Sequence, residues 1–530
     1  MDNRNFIPRA RIEKIHLVNF KGVSNGVVEF NCLKNPKEKD IQSDILGIYG
    51  QNGSGKTTLL EALHLAKLLM MGRKVPIDKF SGLITQGAES ARMEIVFQFM
   101  NPDETLFKVE YGFSLAIKDV PVESTDVTGP YPSLSSAALV GAGAAALVAL
   151  SIVGSPAVAA STMVGGIGAA GMKQAANKTS KYKTVKKLTV YDEVISLSGY
   201  FNSIEYRLAP IFDARSKETP FVPKAKHAEF FPKKTNSAIK DLERFKQRAS
   251  ISSKSFVFSD DVIQLINEQF AQGGETPLGA LIWQLRIQAT NSIRILDSII
   301  LGASRDQIVP IYTAHRGVGI KLSDSTAFVD EDGVETLRAG IKGLNIILDQ
   351  LIPGLSLEAV EQIDVDVADS SMKQMSPGKK IVVYSVRGDS RIPLAQESTG
   401  ILHLISSLGL ISYAFANPCV TVAIDEIDAG VYEYLLGELL LIFEEYGRGQ
   451  LLFTCHNLRP MEVLDRKFMC FTTTNPDNRY IKLKSIRKEK NLREAYLKEI
   501  INCGQDEELY LSAKHGKIAA ALQKAGEILA

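Results

Sequence analysis

The segment DILGIYGQNGSGKTTLLEAL, from Asp44 to Leu63, has the residue types and spacing of a nucleoside triphosphate site. Gly50, Gly53 and Gly55 allow the backbone to curl so that successive N–H groups point at one centre, and the helix that follows adds its positive end. The spacing predicts that Lys56 reaches the β- and γ-phosphates and that the Thr57 hydroxyl ligates Mg²⁺. We therefore predict an ATP and Mg²⁺ site whose nucleotide ligands are Gly50, Asn52, Gly53, Ser54, Gly55, Lys56, Thr57 and Thr58.

A second chemical cluster lies far along the chain, where the apolar run CVTVAIDEIDAG delivers two adjacent carboxylates, Asp425 and Glu426. Phosphoryl transfer needs a metal ion and a water molecule held in line with the phosphate. Asp425 is predicted to hold Mg²⁺ together with Thr57, and Glu426 to polarise the attacking water. Because both clusters belong to one mechanism, we interpret them as halves of one catalytic site.

Two further polar positions are candidates for the same site. The strand QLLFTCHN ends at His456, whose neutral imidazole could sense the γ-phosphate and orient the water; an ordinary turn histidine is the alternative. In LAQESTGILHL, Ser398 and Gly400 begin a strongly apolar helix. Taken alone, this second pattern predicts only a capped helix.

The elements that must position these residues are strands and helices in alternation. Arg11–Phe20, Val27–Phe30, Arg92–Phe99 and Phe107–Leu115 have strand patterns, which predicts a mostly antiparallel sheet near the phosphate loop. Asn236–Leu301 has a helical pattern that includes a long amphipathic run from Leu278. Further strands and helices are predicted after residue 308, with a hairpin turn at residues 387–389.

Composition places the chain among globular proteins of two or three lobes, with 530 residues, 45% hydrophobic and 23% charged. A net charge of +1 argues against binding of nucleic acid through the overall charge of the chain. The five cysteines have no metal-binding spacing, and the polar N-terminus has no apolar core of a signal peptide. We therefore expect a cytoplasmic protein.

An uncharged Ala/Gly-rich stretch, residues 133–172, is followed by six lysines within residues 173–187. Each arm of a hairpin in this stretch would be shorter than the roughly twenty residues that span a bilayer. Contact with the inner membrane and packing within an oligomer both stay open. The locally basic residues that follow, up to Arg248, are a candidate nucleic-acid surface or a solvated face.

In order, the motifs GQNGSGKT, ESTG, AIDEID and TCHN resemble an ABC-type ATPase head of the SMC-like branch. The opening IEKIHLVNFKG and the late NLREAYLKEI are similar to SMC-related ATPases of prokaryotic anti-phage systems, a group that includes PtuA of Septu and retron-associated ATPases. The resemblance covers about the first hundred residues and the last 150. It implies that Ser398 and Gly400 contact the γ-phosphate on the other subunit and that Asp428 lies in the D-loop. ESTG departs from the usual LSGG.

The predicted fold is an α/β, ABC-type (SMC-like) P-loop ATPase head split by a helical insertion and an apolar hairpin. Its parts are the N-terminal part of the head (1–132), the hairpin (133–172), a basic connecting segment with strands (173–235), the helical insertion (236–305) and the C-terminal part of the head (306–530).

The resemblance implies an ATP-hydrolysing regulatory subunit of an anti-phage complex, which acts as a dimer or higher oligomer and controls a partner effector such as an HNH nuclease. One alternative is an SMC-like ATPase of DNA repair or chromosome maintenance, although no heptads of coiled-coil length separate the two clusters. The other is a membrane-acting effector gated by ATP through residues 133–172.

Overall fold

A computed structural model describes most of the chain. The described residues are 9–31, 43–101, 105–122, 183–201, 204–215, 236–270, 277–296, 308–313, 317–368, 375–483, 491–502, 507–510 and 515–529.

Eighteen strands and eleven helices are used below, numbered in chain order within the described residues. The strands are β1 (Arg9–Phe20), β2 (Val23–Glu29), β3 (Asp44–Tyr49), β4 (Ala91–Met100), β5 (Leu106–Val122), β6 (Lys183–Phe201), β7 (Ile204–Asp213), β8 (Ile293–Leu296), β9 (Ile308–Tyr312), β10 (Gly317–Lys321), β11 (Thr326–Val329), β12 (Leu355–Ala368), β13 (Met375–Arg387), β14 (Ser390–Pro393), β15 (Thr421–Ile424), β16 (Gln450–Thr454), β17 (Met469–Thr472) and β18 (Tyr480–Ile481). The helices are α1 (Lys56–Met70), α2 (Ile77–Phe80), α3 (Asn236–Ser252), α4 (Asp260–Phe270), α5 (Pro277–Ile287), α6 (Glu331–Leu351), α7 (Thr399–Ala416), α8 (Glu433–Tyr446), α9 (Pro460–Val463), α10 (Leu492–Asn502) and α11 (His515–Leu529).

The phosphate loop belongs to a sheet in the order β18-β17-β3-β16-β15-β8, whose strands are parallel except for the antiparallel pair β17 and β18. Its central strands β3, β15 and β16 are buried at every residue. Strands covered on both faces need continuous apolar side chains, which explains the unbroken runs seen in the sequence. Because β3 and β15 are parallel to β16 between them, the phosphate loop and Asp425 emerge at the same edge.

An antiparallel sheet lies beside it in the order β2-β1-β4-β5-β6-β7. Buried side chains alternate with partly exposed ones along most of β4, as expected for a sheet with one face on the core. This sheet and α1 contribute to one apolar core. The predicted antiparallel sheet is therefore confirmed, and it continues through β6 and β7 beyond the predicted boundary at residue 132.

A third sheet, in the order β12-β13-β11-β10-β9 with β14 beside β13, packs with α6 and α7 around a separate core. The predicted hairpin is present, since β13 ends at Arg387 and β14 begins at Ser390. Asp330 caps α6 by accepting a hydrogen bond from the Gly333 N–H at 2.8 Å. This lobe leads the chain into α7, the helix that begins after Ser398.

A fully buried side chain, Gln450, joins the first two sheets. Its amide accepts a hydrogen bond from the Ile12 N–H at 2.7 Å and donates to the Ile12 carbonyl at 2.8 Å. The same amide donates to Asp44 at 3.0 Å and accepts from the Thr421 hydroxyl at 2.8 Å. One side chain therefore fixes β1 against β3, β15 and β16.

The helical insertion is shorter than predicted. The long helix expected from Leu278 to Leu301 is wrong, because α5 ends at Ile287, a π-helical turn follows, and β8 pairs with β15 in the parallel sheet. Residues 293–296 therefore belong to the core of the head and not to an insertion. The apolar hairpin at 133–172 lies outside the described residues, as does about half of the basic segment at 173–235.

In the described part of the chain, α7 alone is long and apolar enough to cross a membrane, and 61% of it is buried inside the protein.

Candidate nucleotide-binding site

The phosphate loop follows β3 and has the strained backbone that its glycines permit. Gly50, Gly53 and Gly55 have φ angles of 152°, 77° and 96°. Side chains with a Cβ rarely adopt these angles. At Gly50 the packing adds a second reason, because a Cβ there would lie 1.7 Å from the Thr472 hydroxyl oxygen. The loop therefore depends on glycine both for its curl and for contact with β17.

Lys56 lies at the first turn of α1 and folds back over the loop. Its ammonium donates hydrogen bonds to the carbonyls of Gly50 at 2.9 Å and Gln51 at 3.1 Å. Burial lowers its pKa, while the nearby carboxylates of Asp425 and Glu426 act in the opposite direction. A cation held at the centre of the loop is suited to a polyphosphate, which would offer it oxygen atoms of higher charge than two carbonyls.

The phosphate loop is supported by residues of β17 and β18, two strands that come late in the chain. Ser54 is buried and its hydroxyl contacts both the Gln51 carbonyl and the Thr472 hydroxyl at 2.5 Å. The Tyr480 hydroxyl donates to the Gly55 carbonyl at 2.7 Å. Ser54 therefore supports the loop through its side chain and through its backbone N–H, which donates to the Gln51 carbonyl at 3.2 Å. Its predicted contact with phosphate stays a prediction. Thr58 is likewise buried, whereas Asn52 is exposed.

Thr57 and Asp425 meet although 368 residues separate them. The Thr57 hydroxyl is 3.2 and 3.4 Å from the two carboxylate oxygens of Asp425. Thr454, the last residue of β16, donates a hydrogen bond to Asp425 at 2.6 Å and so fixes the carboxylate. A hydroxyl and a carboxylate are hard oxygen ligands of the kind that Mg²⁺ takes beside bound phosphates. These two residues would hold the ion, which when bound supplies charge neutralisation on the phosphate oxygens.

Glu426 follows with a backbone conformation that is uncommon for any residue except glycine, φ 51°. Its N–H donates to the Thr454 hydroxyl at 2.8 Å, and its side chain is exposed. Thr454 therefore positions both carboxylates, because its hydroxyl donates to one residue and accepts from the other. The arrangement directs Glu426 out of the sheet, where a water molecule has access.

His456 lies in the loop that follows β16, beside these carboxylates. Asp428 accepts hydrogen bonds from the N–H groups of His456 at 3.1 Å and Asn457 at 2.9 Å. The His456 imidazole is exposed, which is compatible with the predicted contact with a γ-phosphate. Cys455 is buried, and burial raises the pKa of its thiol well above the usual value, so the residue has the properties of a core side chain.

Ser398 and Gly400 begin α7 at a backbone contact with the carboxylate segment. The exposed Ser398 hydroxyl accepts a hydrogen bond from the Ile401 N–H at 3.3 Å. A Cβ on Gly430 would lie 2.2 Å from the Gly400 Cα. The two chain segments therefore pack backbone against backbone, which joins the start of α7 to the segment after Asp428. The role of Ser398 and Gly400 on a second subunit's nucleotide stays a prediction.

His403 was not predicted as a site residue. Its imidazole is buried on α7, within 3.3 Å of the Asp425 carbonyl and 3.4 Å of the Ser407 hydroxyl. Burial lowers its pKa, which favours the neutral form. His403 thus gives α7 a second attachment to the carboxylate strand, after the contact between Gly400 and Gly430.

The structure therefore brings the loop, Thr57 and the Asp425–Glu426 pair together, with Asp428 and His456 beside them. The supporting residues that sequence reasoning missed are His403, Gly430, Thr454, Thr472 and Tyr480. Of these, Thr454 had a local signal, because a hydroxyl residue ends an otherwise apolar strand. The others act only through partners distant in sequence.

Comparison with known proteins agrees with a nucleotide site. Residues 14–272 match the family model described as an AAA domain. No match was found among the curated proteins. The family match and the phosphate loop after β3 agree with the predicted α/β fold and its P-loop nucleotide site.

Solved structures of SMC heads and RecF are similar to the chain along most of its length. The Smc head domain of Pyrococcus furiosus bound to the C-terminal domain of ScpA is 13% identical, with 93% of this chain and 100% of that chain covered and a TM-score of 0.35. The SMC head domain from Thermotoga maritima is 14% identical, with 89% and 99% covered and a TM-score of 0.30. RecF of the RecFOR pathway, in a complex with a nucleotide, is 12% identical, with 85% and 94% covered and a TM-score of 0.29.

Proposed function

We propose that this protein binds and hydrolyses ATP with Mg²⁺ and uses the nucleotide to control its association with a partner. The observation that carries the proposal is the contact between the Thr57 hydroxyl and Asp425 beside the loop that holds Lys56. Lys56 and the loop N–H groups bind the phosphates, Thr57 and Asp425 hold the metal ion, and Glu426 orients the water.

Three variants test the site in separate ways. Lys56→Ala removes the phosphate cation and is expected to abolish ATP binding in a calorimetric titration. Glu426→Gln keeps the shape of the site but not the carboxylate, so it is expected to bind ATP and to lose hydrolysis. Lys74→Ala, which removes an exposed lysine that follows α1, is the matched control and is expected to retain both activities. Equal ATP affinity of Lys56→Ala and the parent protein contradicts the assignment.

We propose further that the working unit contains two copies, each of which places Ser398 and Gly400 on the other's nucleotide. The support is that the exposed Ser398 begins a helix whose N-terminal N–H groups suit a phosphate, while the local loop already has its own cation. A mixture of Lys56→Ala and Ser398→Arg contains one intact composite site per mixed dimer. Partial recovery of ATP hydrolysis is expected; a mixed dimer without activity argues against a shared site.

The partner that this switch controls is proposed to be the effector of a prokaryotic anti-phage complex, a nuclease such as an HNH protein. The support is the motif resemblance stated above. Among the described residues the longest helix, α6, has 21 residues, which is short for the arms of a DNA clamp. Purification of the native complex with mass spectrometry, followed by phage challenge with the parent and Glu426→Gln, tests this role. Co-purification of chromosome-maintenance proteins alone would favour the alternative function, an SMC-like ATPase of chromosome maintenance.

A further inference from the structure

Helix α8 leaves an apolar stripe uncovered on the surface. The stripe consists of Tyr432, Tyr434, Ile442 and Tyr446, whose exposed fractions are 71%, 54%, 48% and 62%. At about 100° per residue, positions 434, 442 and 446 spread over about 120° of the helix surface and about 18 Å of its length. The other face of α8 is buried in the core through Leu436, Leu440 and Phe443. Clustered apolar surface of this kind marks an interaction site.

Helix α11 has the complementary property, because it buries no face against the rest of the described chain. Every residue from 516 to 528 is exposed. Its apolar side chains Ile518, Leu522 and Ile528 are 47%, 69% and 76% exposed. They extend over about 15 Å, similar to the α8 stripe. A helix of 15 residues is marginally stable alone in water, so α11 needs a surface on which to pack.

The charges of the two helices are also complementary. Helix α8 contains four glutamates, Glu433, Glu438, Glu444 and Glu445, and neither lysine nor arginine. Helix α11 contains Lys517 and Lys524 against Glu527. Opposite charges beside matching apolar stripes favour one partner and one orientation over others.

We propose that α11 of a second copy of this chain lies on the α8 stripe and that the exchange is reciprocal. A two-fold axis makes each copy both donor and acceptor, so neither stripe nor helix stays uncovered. Docking of an amphipathic helix on an apolar surface is a common recognition mode. A second copy is favoured over the same chain because α11 and the α8 stripe are both exposed within the single chain. This pairing does not require nucleotide.

The first test measures self-association by analytical ultracentrifugation of the full chain without nucleotide, in the parent and in Lys56→Ala. Both proteins are expected to dimerise. Leu522→Glu on α11 and Ile442→Glu on α8 are each expected to raise the dimer dissociation constant at least tenfold. Leu208→Glu, which changes a 64% exposed leucine on β7, is the matched control and is expected to have no effect. A monomeric parent, or a Leu522→Glu dimer as tight as the control, overturns the proposal.

Charge reversal tests the orientation. Glu438→Lys and Lys524→Glu are each expected to weaken the dimer, and the two changes in one chain are expected to restore it, because the new charges are again opposite. Unfolding temperatures equal to that of the parent exclude misfolding as the cause. A double variant weaker than either single variant counts against contact between these helices.

A cysteine pair identifies the occupant. Copies with Ile442→Cys and copies with Leu522→Cys carry different affinity tags and are mixed and oxidised, with the parent as control for the native thiols. A crosslinked species with both tags is expected. When both substitutions are in one chain, crosslinking only within that chain means that α11 covers its own stripe. That result, or a crosslink only to a different protein, overturns the proposal while leaving ATP binding unaffected.

Discussion

Thr454 shows how one hydroxyl positions two catalytic carboxylates. It donates to Asp425 at 2.6 Å, accepts from the Glu426 N–H at 2.8 Å, and is buried. Loss of that hydroxyl would leave a carboxylate without its donor and an N–H without its acceptor. Polar groups deprived of partners in this way cost more than the hydrogen bond contributes on average.

Thr454→Val tests this role with little change in shape. We expect a loss of about 1–3 kcal/mol in the free energy of unfolding and at least a tenfold loss in kcat, because Asp425 and Glu426 are both released. Thr421→Val is the matched control: its hydroxyl donates to Gln450 at the far end of the neighbouring strand, so it is expected to lose stability and keep its kcat. Equal kcat for Thr454→Val and the parent contradicts the positioning role.

His64, on α1, is expected to make the free energy of unfolding depend on pH. Burial first, and then the charges of Lys79 and Lys67, lower its pKa from 6.5 to about 3. Below pH 6.5 the unfolded chain takes up a proton that the folded protein does not, so stability falls as the pH falls. We expect the parent to lose about 1 kcal/mol more than His64→Leu between pH 7 and pH 5.5, measured by urea unfolding. Parallel losses in the two proteins would show that His64 is protonated in the fold.

At the scale of elements, α7 is joined to the carboxylate segment by backbone packing. Gly430 has a φ of 74° and a Cβ on it would lie 2.2 Å from the Gly400 Cα. An alanine there must separate the start of α7 from the segment that contains Asp428. Since the phosphate loop lies on other elements, its affinity for ATP should be less affected than hydrolysis.

Gly430→Ala is therefore expected to lose most ATP hydrolysis and to retain ATP binding. Gly354→Ala is the matched control, because Gly354 also has a positive φ, 87°, but has nothing within 4 Å of the added Cβ. The control should cost about 1 kcal/mol of stability from backbone strain alone and leave hydrolysis intact. Calorimetric binding and steady-state hydrolysis of both variants decide the point. Equal hydrolysis in the two variants would contradict the coupling.

The elements that the sequence predicts correctly are those whose signal is local. The phosphate loop lies within eight consecutive residues, and the strand before Asp425 is a continuous apolar run. The four residues of β8 were predicted as helix because a short apolar run inside a helical pattern has no period of its own. The bracing by Thr472 and Tyr480 has no local signal at all, since the partners of Tyr480 are 425 residues away.

At the scale of the whole molecule, the two sheets depend on Gln450. Burial raises the pKa of Asp44, and the hydrogen bond from Gln450 opposes that shift. Removal of the amide would therefore leave a buried carboxyl group and both backbone groups of Ile12 without this partner. The joint between the sheets is the place where a single substitution should weaken the entire head.

Gln450→Met keeps a similar volume and removes the amide. We expect it to lose at least about 3 kcal/mol in the free energy of unfolding, because several buried polar groups lose a partner together. The exposed Gln396→Met is the matched control and is expected to change stability by less than about 0.5 kcal/mol. Chemical denaturation of both variants measures the difference. Similar denaturation midpoints for Gln450→Met and Gln396→Met would mean that the first two sheets are held together mainly by apolar packing.

The position of β3 also has a consequence for how the protein is made. Both of its neighbours in the sheet, β16 and β17, come from the last fifth of the chain, and 406 residues separate Asp44 from Gln450. A ribosome that adds about 5–20 residues per second needs roughly 20–80 s to cover that distance. During that time this buried strand and its glycine loop have no native neighbours in the sheet. The nascent chain therefore needs protection from aggregation, and it cannot bind ATP in the completed site until translation is almost finished.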